Sequence, residues 1–326
     1  MDFFNGFFSQ IGYFSSVLIF ITVFFNGATD ASNAVATCVG TKCMKISHAT
    51  IMSAVFNFLG VLIMGTFAGK VAFTVKELAV FPSESSVKTA VCASMLSVII
   101  WAGGAWLFGI PTSESHALTA SLTGTALACG GAYINTAQYA RVLYGLLVSS
   151  ALGFAVGVII SLLTDIFLKK CSDTFFRYAQ IFGACCTSFA HGGQDGVKFL
   201  GLFLLFTNGG EVGTPIIFAV SAVMLFGTAV GGKKIIKSVG ENMVEINKKD
   251  GFASDIASAL CLLFASIMGI PASTTQTKTS SILGVGALSS GKINAKTTLS
   301  IVTAWIFTFP ACTLLGYMIM KIMIKW

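Results

Sequence analysis

Long apolar segments without charged residues recur along the whole chain, and they limit its fold more than any other feature. Segments such as VLIFITVFF and LCLLFASIM are continuously apolar. Stretches of roughly 18 to 25 such residues are long enough, as helices, to cross about 30 Å of hydrocarbon. Only 10% of the residues are charged and 55% are hydrophobic, which is unlike a soluble protein. Because a membrane barrel requires alternating apolar and polar residues, the sequence predicts an all-α integral membrane protein.

Charge and cysteine content argue against several other classes of protein. The net charge of +7 comes from basic residues that mostly lie in short loops, as the positive-inside rule predicts for a membrane protein, so we expect no nucleic-acid partner. The nine cysteines lack metal-ligand spacing and are interpreted as packing residues. Residues 1–10 contain Asp2 and no lysine or arginine, so we interpret them as mature sequence rather than a signal peptide.

The chain contains an internal duplication, which is visible in two pairs of similar segments. TVFFNGATDASNAVA (22–36) matches TSFAHGGQDGVKFLG (187–201) at an offset of 165. GIPTSESHALTASLTG (109–124) matches GIPASTTQTKTSSILG (269–284) at an offset of 160. Two such halves are a common construction of secondary transporters, in which the substrate site lies between the repeats near the bilayer midplane.

The polar stretch between the two halves divides the chain. We predict a first transmembrane repeat over 1–168, a cytoplasmic loop over 169–177 and a second transmembrane repeat over 178–326. About five crossings are expected in each half, with broken helices or re-entrant hairpins at the polar motifs, which gives about ten to twelve membrane segments.

Loop charges predict how the repeats are oriented. Basic residues cluster at 42–45, 169–177 and 233–250, whereas loop 207–213 contains Glu211 and no basic residue. Because basic loops favour the cytoplasmic side, we expect those three loops inside and the N-terminus and loop 207–213 outside. Equivalent loops then lie on opposite sides, so the repeats are predicted to be inverted.

The first pair of segments places two equivalent aspartates, Asp30 and Asp195, at membrane depth. Ionisable residues inside membrane segments are costly and usually functional. The second pair of segments, described below, suits a bound anion. Carboxylates beside such an anion repel it unless a cation lies between them, so we interpret both aspartates as cation ligands. Neighbouring asparagine, serine and threonine oxygens would complete a site for a hard cation. The predicted sodium ligands are Asn26, Thr29, Asp30, Asn33 and Asp195.

Both aspartate segments are too polar and too rich in glycine for an ordinary spanning helix. In the first copy, Gly27 permits the backbone to leave helical geometry, and Thr29 or Asp30 can cap a new half-helix. Asp30 and Asn33 would share one face of it, as would Asp195 and Lys198 in the second copy.

The second pair of segments resembles two helix starts. Gly-Ile-Pro followed by TSES or ASTT is a turn that leads into serine and threonine caps and then into a helix of small residues. Such a start offers unpaired N–H groups and a positive dipole end, which suit an anion such as phosphate. Two opposed copies would surround the anion.

At these residues the chain resembles the inorganic phosphate transporter (PiT) family, whose halves each carry a GANDVANA-like signature. The similar segments here are NGATDASNAVAT and SFAHGGQDGVKF, together with GIPTSESHAL, GTAVGGKKIIKSVG and GIPASTTQT. The resemblance implies an inverted-repeat fold, symport of phosphate with sodium or protons, and a requirement for both aspartates. It also implies that hydroxyl residues after each proline line the substrate path; these are Thr112, Ser113, Ser115, Ser273, Thr274 and Thr275.

Departures from the signature add further candidates. Thr29 and Gln194 stand where the family commonly has asparagine before the aspartate, and each can still offer an oxygen. Lys198 stands where the first copy has Asn33, and it is either an anion contact or the partner of a carboxylate. We include Gln194 and Lys198 among the predicted substrate-binding residues.

Three polar residues near the motifs are candidate path residues: Glu114, His191 and Gln276. Glu114 can line the path or cap a helix. His191 and His116 are either packing residues with hydrogen bonds or proton carriers.

These observations predict a secondary transporter, not an enzyme, that couples phosphate uptake to a cation by alternating access. The alternatives left open are symport of another oxyanion such as sulfate, coupling to protons instead of sodium, and an anion channel, which buried carboxylates oppose. We expect no cofactor besides the coupling ion. The expected partners are phosphate, sodium, the lipid bilayer of the cell membrane and a second copy of the chain in a homodimer.

Overall fold

The fold surrounds two short polar helices with long apolar ones. The computed structural model describes residues 12–67, 69–207, 212–289 and 292–325, so the predicted mature stretch 1–10 lies outside the described residues. The first half consists of α1 (Tyr13–Thr29), a 3-10 helix (Ala31–Val35), α2 (Ala36–Gly40), α3 (Ile46–Phe67), α4 (Lys70–Lys76), β1 (Ala79–Val80), α5 (Glu84–Phe108), α6 (Glu114–Ala128), β2 (Tyr133–Ile134) and α7 (Thr136–Phe167). The second half consists of α8 (Asp173–Leu204), α9 (Thr214–Val230), α10 (Lys233–Gly240), α11 (Lys248–Met268), α12 (Thr274–Gly286) and α13 (Ala295–Lys325).

The long helices have the length and composition of membrane spans. Among the described residues, six helical stretches qualify, and a seventh is added if the bent pair α9 and α10 counts as one span. Their outer surfaces carry large apolar side chains, such as Phe108, Leu147 and Phe167, which lipid would cover. The protein is therefore an all-α, multi-pass membrane protein, as predicted.

The two polar helices are too short to span a bilayer. α6 has 15 residues and α12 has 13, so at about 1.5 Å per residue each is only about 20 Å long, against about 30 Å of hydrocarbon. Each follows a long helix, α5 or α11, through a Gly-Ile-Pro turn. The predicted number of membrane segments, to which α6 and α12 contribute as hairpins or broken helices, stays a prediction. The inversion of the two repeats across the membrane also stays a prediction.

The two halves repeat the same series of elements. The β1–β2 pair, in which Val80 faces Tyr133, corresponds to an isolated bridge between Val244 and Ile293. Packing across the halves is matched as well, since α3 packs on α8 and α1 on α9, while α6 packs on α13 and α12 on α7. The duplication in the sequence therefore appears in the structure, and it brings equivalent motifs to one interface.

The two aspartate segments fold differently. In the first, α1 ends at Thr29 and a 3-10 helix follows, but Tyr13–Gly40 still forms one span of 28 residues, so the helix changes type where a break was predicted. The change does not occur at Gly27, which lies within α1, and Asp30 makes no side-chain cap. In the second, α8 runs through Asp195 without interruption, so the break expected there is absent.

Glycines of the second segment serve close helix packing instead. A Cβ atom on Gly192 would lie 2.3 Å from the carbonyl oxygen of Asn57, and one on Gly196 would lie 2.3 Å from Val61 Cγ2. The backbones of α8 and α3 therefore approach closely, as small residues allow in membrane helices. Gly27 has the same role in α1, where a Cβ atom would lie 2.6 Å from a carbonyl oxygen of α9.

The connection between the halves is shorter than the loop predicted at 169–177. α7 ends at Phe167 and α8 begins at Asp173. Ser172 caps α8 by accepting a hydrogen bond from Phe175 N at 3.2 Å. Because this local cap starts the helix early, the last part of the predicted loop is helical.

The three basic loops lie at one end of the bundle. Most of the predicted loop 233–250 is helical, since α10 spans Lys233–Gly240 and α11 begins at Lys248. Lys248 forms an ion pair with Asp173, which joins this basic segment to the start of α8. Thr41, after α2, donates its hydroxyl to Gln180 Oε1 at 2.7 Å near the same helix start. Their common location agrees with the predicted topology, while their assignment to the cytoplasm stays a prediction.

Candidate functional site

Two short helices begin opposite each other in the interior. Gly109 and Gly269, with φ of 71° and 68°, end the preceding helices in a conformation that glycine adopts freely. Ser113 and Ser273 then cap α6 and α12 by accepting N–H bonds, as predicted from the motifs. The two capping hydroxyls lie 2.7 Å apart. The positive dipole ends of two helices therefore meet at one place.

The hydroxyl of Thr274 lies between the two equivalent aspartates. Its Oγ1 atom is 3.0 Å from Asp30 Oδ2 and 3.0 Å from Asp195 Oδ2. Thr275 donates its hydroxyl to Asp30 Oδ1. Both aspartates are buried, at 2% and 1% exposure, so two carboxylates share an enclosed space at the start of α12. Like charges repel there, and a cation between them is stabilised.

Two predicted cation ligands keep unused oxygens beside these carboxylates. Asn33 donates from Nδ2 to Asp30 Oδ1 at 3.2 Å, and Asn26 donates from Nδ2 to Asp195 Oδ2 at 3.5 Å. Oδ1 of each asparagine is buried without a hydrogen-bond partner. Unsatisfied buried oxygens are uncommon, and carboxylate and amide oxygens are the ligands of hard cations. The residues present therefore fit a cation.

Glu114 joins the same site from the start of α6. Its Oε1 accepts a hydrogen bond from the hydroxyl of Thr29, whose Oγ1 also lies 2.7 Å from Phe25 O. Glu114 Oε2 is buried without a partner. A third carboxylate therefore lies near the aspartates, so the site has an excess of negative side chains.

His191 is closer to the aspartates than the sequence indicated. Its Nε2 atom lies 3.2 Å from Asp195 Oδ2 and 4.0 Å from Asp30 Oδ1. These three groups are close enough together to hold one metal ion. The spacing of four residues between His191 and Asp195 on a helix was the available signal. His116 instead packs its ring against Phe309, with centroids 5.5 Å apart.

Lys198 and Ser115, both predicted to bind substrate, contact each other. Lys198 Nζ lies 2.6 Å from Ser115 Oγ, 2.8 Å from Asp195 Oδ1 and 2.5 Å from Ala272 O. Lys198 is therefore the partner of a carboxylate, which is one of the two roles considered from the sequence.

The remaining predicted residues lie around the same helix starts. Gln194 donates from Nε2 to Ile270 O in the second proline motif at 3.0 Å. Thr112, just before the cap of α6, and Gln276, in the first turn of α12, are both buried, at 7% exposure. Because every side chain around the site is buried, the site is enclosed in this conformation.

A second buried charged cluster was not singled out from the sequence. Lys278 forms an ion pair with Asp255, and Thr37 donates its hydroxyl to Asp255 Oδ1 at 2.6 Å. Both charged residues are completely buried, so the rarity of ionisable residues at membrane depth was a usable signal. The duplication hid it, because Leu118 and Met95 stand at the equivalent positions of the first half.

Comparison with known proteins identifies the family. A family model described as the phosphate transporter family matches residues 26–316. This chain belongs to that family. A probable low-affinity inorganic phosphate transporter of Bacillus subtilis (strain 168) is 33% identical over 306 residues, which cover 90% of this chain and 91% of the relative. One of Rhizobium meliloti (strain 1021) is 32% identical over 315 residues, covering 92% and 93%.

A solved structure described as "The sodium-dependent phosphate transporter" has the same fold. Its TM-score is 0.85 at 20% sequence identity, and the match covers 97% of this chain and 99% of that one. Family membership confirms the resemblance stated from the signatures and supports phosphate transport. The relatives are transporters, which agrees with the prediction that this protein is not an enzyme.

Proposed function

We propose that this protein is a sodium-coupled symporter of inorganic phosphate that works by alternating access. The observation that carries the proposal is the enclosed pair of carboxylates, Asp30 and Asp195, beside two helix starts that meet at Ser113 and Ser273. Family membership supports phosphate as the substrate. The description of the structural neighbour as sodium-dependent supports the choice of ion.

Phosphate suits the two helix starts. The first N–H groups of α6 and α12 have no partners within their own helices, and helix N-termini bind anions through such groups and through the helix dipole. Hydroxyls of Ser113, Ser273 and their neighbours add further donors. Phosphate, with several acceptor oxygens, can use both helix starts at once.

A cation is required by the charges around that position. Asp30, Asp195 and Glu114 place three carboxyl groups beside the proposed anion, and among the residues that the structure describes one lysine, Lys198, contacts a carboxylate of this set, that of Asp195. Bound sodium would offset the repulsion between these groups and phosphate, so each ligand would strengthen binding of the other. This mutual dependence is the coupling that a symporter requires.

Sodium is favoured over protons by the ligands. The free Oδ1 atoms of Asn26 and Asn33 accept a cation but have no use for a proton. A proton-coupled transporter would need only a titratable group, and His191 beside Asp195 keeps that alternative open.

Enclosure of the site supports alternating access. A site buried from both ends must open to bind and release, and the short helices α6 and α12 carry the Ser and Thr residues that would line it. We place the basic loops in the cytoplasm and the protein in the cell membrane as a homodimer. Another oxyanion such as sulfate remains an alternative substrate, and an anion channel is disfavoured by the carboxylates.

Reconstituted liposomes test the proposal. Phosphate should accumulate under an inward sodium gradient without a proton gradient, and it should not accumulate under a proton gradient alone. Accumulation driven only by a proton gradient would show that the coupling ion is the proton and not sodium. If sulfate inhibited uptake more strongly than unlabelled phosphate, the preferred substrate would be sulfate. Purely downhill flux without a cation requirement would indicate a channel.

A further inference from the structure

Lys198 occupies in the second half the position that Asn33 occupies in the first. Each follows a signature aspartate, Asp195 or Asp30, by three residues. Asn33 is neutral, whereas Lys198 carries an ammonium group. The duplicated site is therefore equivalent in position and unequal in charge.

Three oxygens hold the ammonium group of Lys198. They are a carboxylate oxygen of Asp195, the hydroxyl of Ser115 and the carbonyl of Ala272, at 2.8, 2.6 and 2.5 Å from Nζ. Because an ammonium group has three N–H donors, none remains for phosphate. Carboxylate, hydroxyl and carbonyl oxygens are also the ligands of a hard metal cation. Lys198, at 2% exposure, is a tethered cation inside such a set.

The position around Asp30 that corresponds to this set of oxygens contains no ammonium group. By the repeat offsets, Asp195, Ser115 and Ala272 correspond to Asp30, Thr275 and Thr112. Asn33 Nδ2 lies 3.2 Å from Asp30 Oδ1 and 3.1 Å from Thr275 Oγ1.

Asn33 adds an oxygen that Lys198 cannot offer. Its Oδ1 is buried and unpartnered, and an unsatisfied buried oxygen beside a carboxylate is a ligand for a mobile cation. One half thus has an oxygen available for an ion, and the other half has the charge built in.

Resting on the sodium-coupled symport proposed above, we propose that Lys198 permanently fills the second of two equivalent cation positions. The exchangeable sodium ion then binds only at the other position, beside Asp30, Asn33 and Thr275. The transporter carries one sodium ion fewer per phosphate than it would with asparagine at both positions. Lys198 acts on phosphate through its charge alone.

Lys198→Asn tests this directly, because it gives both halves the same residue. In liposomes loaded by a sodium gradient, the ratio of labelled sodium to labelled phosphate taken up should rise by one sodium ion. The sodium dependence of uptake should become steeper, with a fall of tenfold or more at low sodium that high sodium restores, as expected when about 1.4 kcal/mol of fixed attraction is replaced by ion binding. An unchanged ratio and slope would overturn the proposal.

Thermal unfolding of the purified protein supplies a readout that needs no transport. Lys198→Asn should unfold at a lower temperature than wild type in choline chloride. Replacing choline chloride by sodium chloride should raise the unfolding temperature of the variant by more than it raises that of wild type. Equal sodium stabilisation of variant and wild type would overturn the proposal even if the variant is inactive. If wild type showed no sodium-driven uptake, the proposed function itself would be refuted. Failure of the Lys198 proposal and failure of the proposed function therefore give different results.

Two further variants serve as controls. Lys278→Gln removes another completely buried, ion-paired lysine, and it should lower the unfolding temperature equally in both salts. Asn33→Lys should abolish sodium stabilisation by filling the first position as well. Combining it with Lys198→Asn should restore that stabilisation, and failure of the exchange to restore any of it would count against two equivalent positions.

Discussion

Ser113 Oγ and Ser273 Oγ lie 2.7 Å apart although 160 residues separate them in the chain. If both hydroxyls hold phosphate, Ala at either position should weaken phosphate binding by roughly 10- to 150-fold, since one hydrogen bond to an anion contributes about 1.5 to 3 kcal/mol. Calorimetry at saturating sodium measures this. Ser121→Ala, which removes a buried hydroxyl within α6, is the matched control, and wild-type affinity in both site variants would refute the anion site.

Equivalent positions should also give effects of equal size. Because Ser113→Ala and Ser273→Ala each remove the bond between the two hydroxyls, the double variant should lose less affinity than the sum of the single losses. Strict additivity in the same calorimetric series would show that the two serines act independently.

Asp30→Asn and Asp195→Asn should each abolish concentrative phosphate uptake. Each change removes a carboxylate charge from the proposed cation site, while the polar surroundings still accommodate an amide and the protein remains extractable. Uptake by liposomes under a sodium gradient is the measurement. Asp165→Asn, at an exposed ion pair with Lys249, should transport normally because surface ion pairs contribute little. Accumulation close to wild type in either site variant would remove the cation assignment.

Thr274→Val should affect sodium more than phosphate. The substitution keeps the shape of the side chain and removes the hydroxyl that lies 3.0 Å from both Asp30 and Asp195. The sodium concentration for half-maximal uptake should rise about tenfold, which corresponds to about 1.4 kcal/mol. Thr277→Val removes a hydroxyl bonded within the helix and should change it little; equal effects of the two variants would exclude a special role for Thr274.

Gly192→Ala should destabilise the protein strongly. Its Cβ atom would lie 2.3 Å from the carbonyl oxygen of Asn57, so α8 and α3 would have to separate. Gly104→Ala, where nothing lies within 4 Å of the added atom, should be neutral or gain up to about 1 kcal/mol from helix propensity. Unfolding temperatures in detergent compare them, and the close packing would be refuted if both variants matched wild type.

The topology is testable by thiol labelling of whole cells. In a background without other cysteines, Cys171 should resist an impermeant reagent, because it lies at the same end of the bundle as the basic loops, which we propose to be cytoplasmic. Tyr133→Cys, on the exposed β2 strand, should react from outside. The reverse pattern would invert the proposed orientation, and breaking the cells should expose both positions.

The parts of the site that follow from local or duplicated sequence were predictable. Ser113 and Ser273 cap helices because a serine directly after a turn satisfies N–H groups within three residues. Asp30 and Asp195 were matched because duplication kept the spacing around them. Their meeting at Thr274 follows from the packing of two halves, which spacing alone does not determine.

Features that depend on a neighbouring helix were not predictable. Glycines of the second signature were expected to break α8, yet Gly192 and Gly196 make room for α3, and only the neighbour distinguishes these roles. Lys278 and Asp255 are 23 residues apart and absent from the other half. Neither periodicity nor duplication identifies such a pair, although its charge at membrane depth was visible.

The cluster of Thr37, Asp255 and Lys278 gives the two ends of the molecule different seals. At the end of the basic loops the seal is ionic, whereas Leu202, Met95 and Leu118, which occupy the equivalent positions, belong to one apolar core. Water that enters the ionic seal hydrates charges that were buried, which is favourable. Water that enters the apolar seal costs about 25 cal/mol of free energy for each Å² of apolar surface that it contacts. A perfectly duplicated scaffold would rest equally open to either side. If the protein works by the alternating access proposed above, opening its two ends would require different free energies, and we expect the end with the basic loops to open more readily.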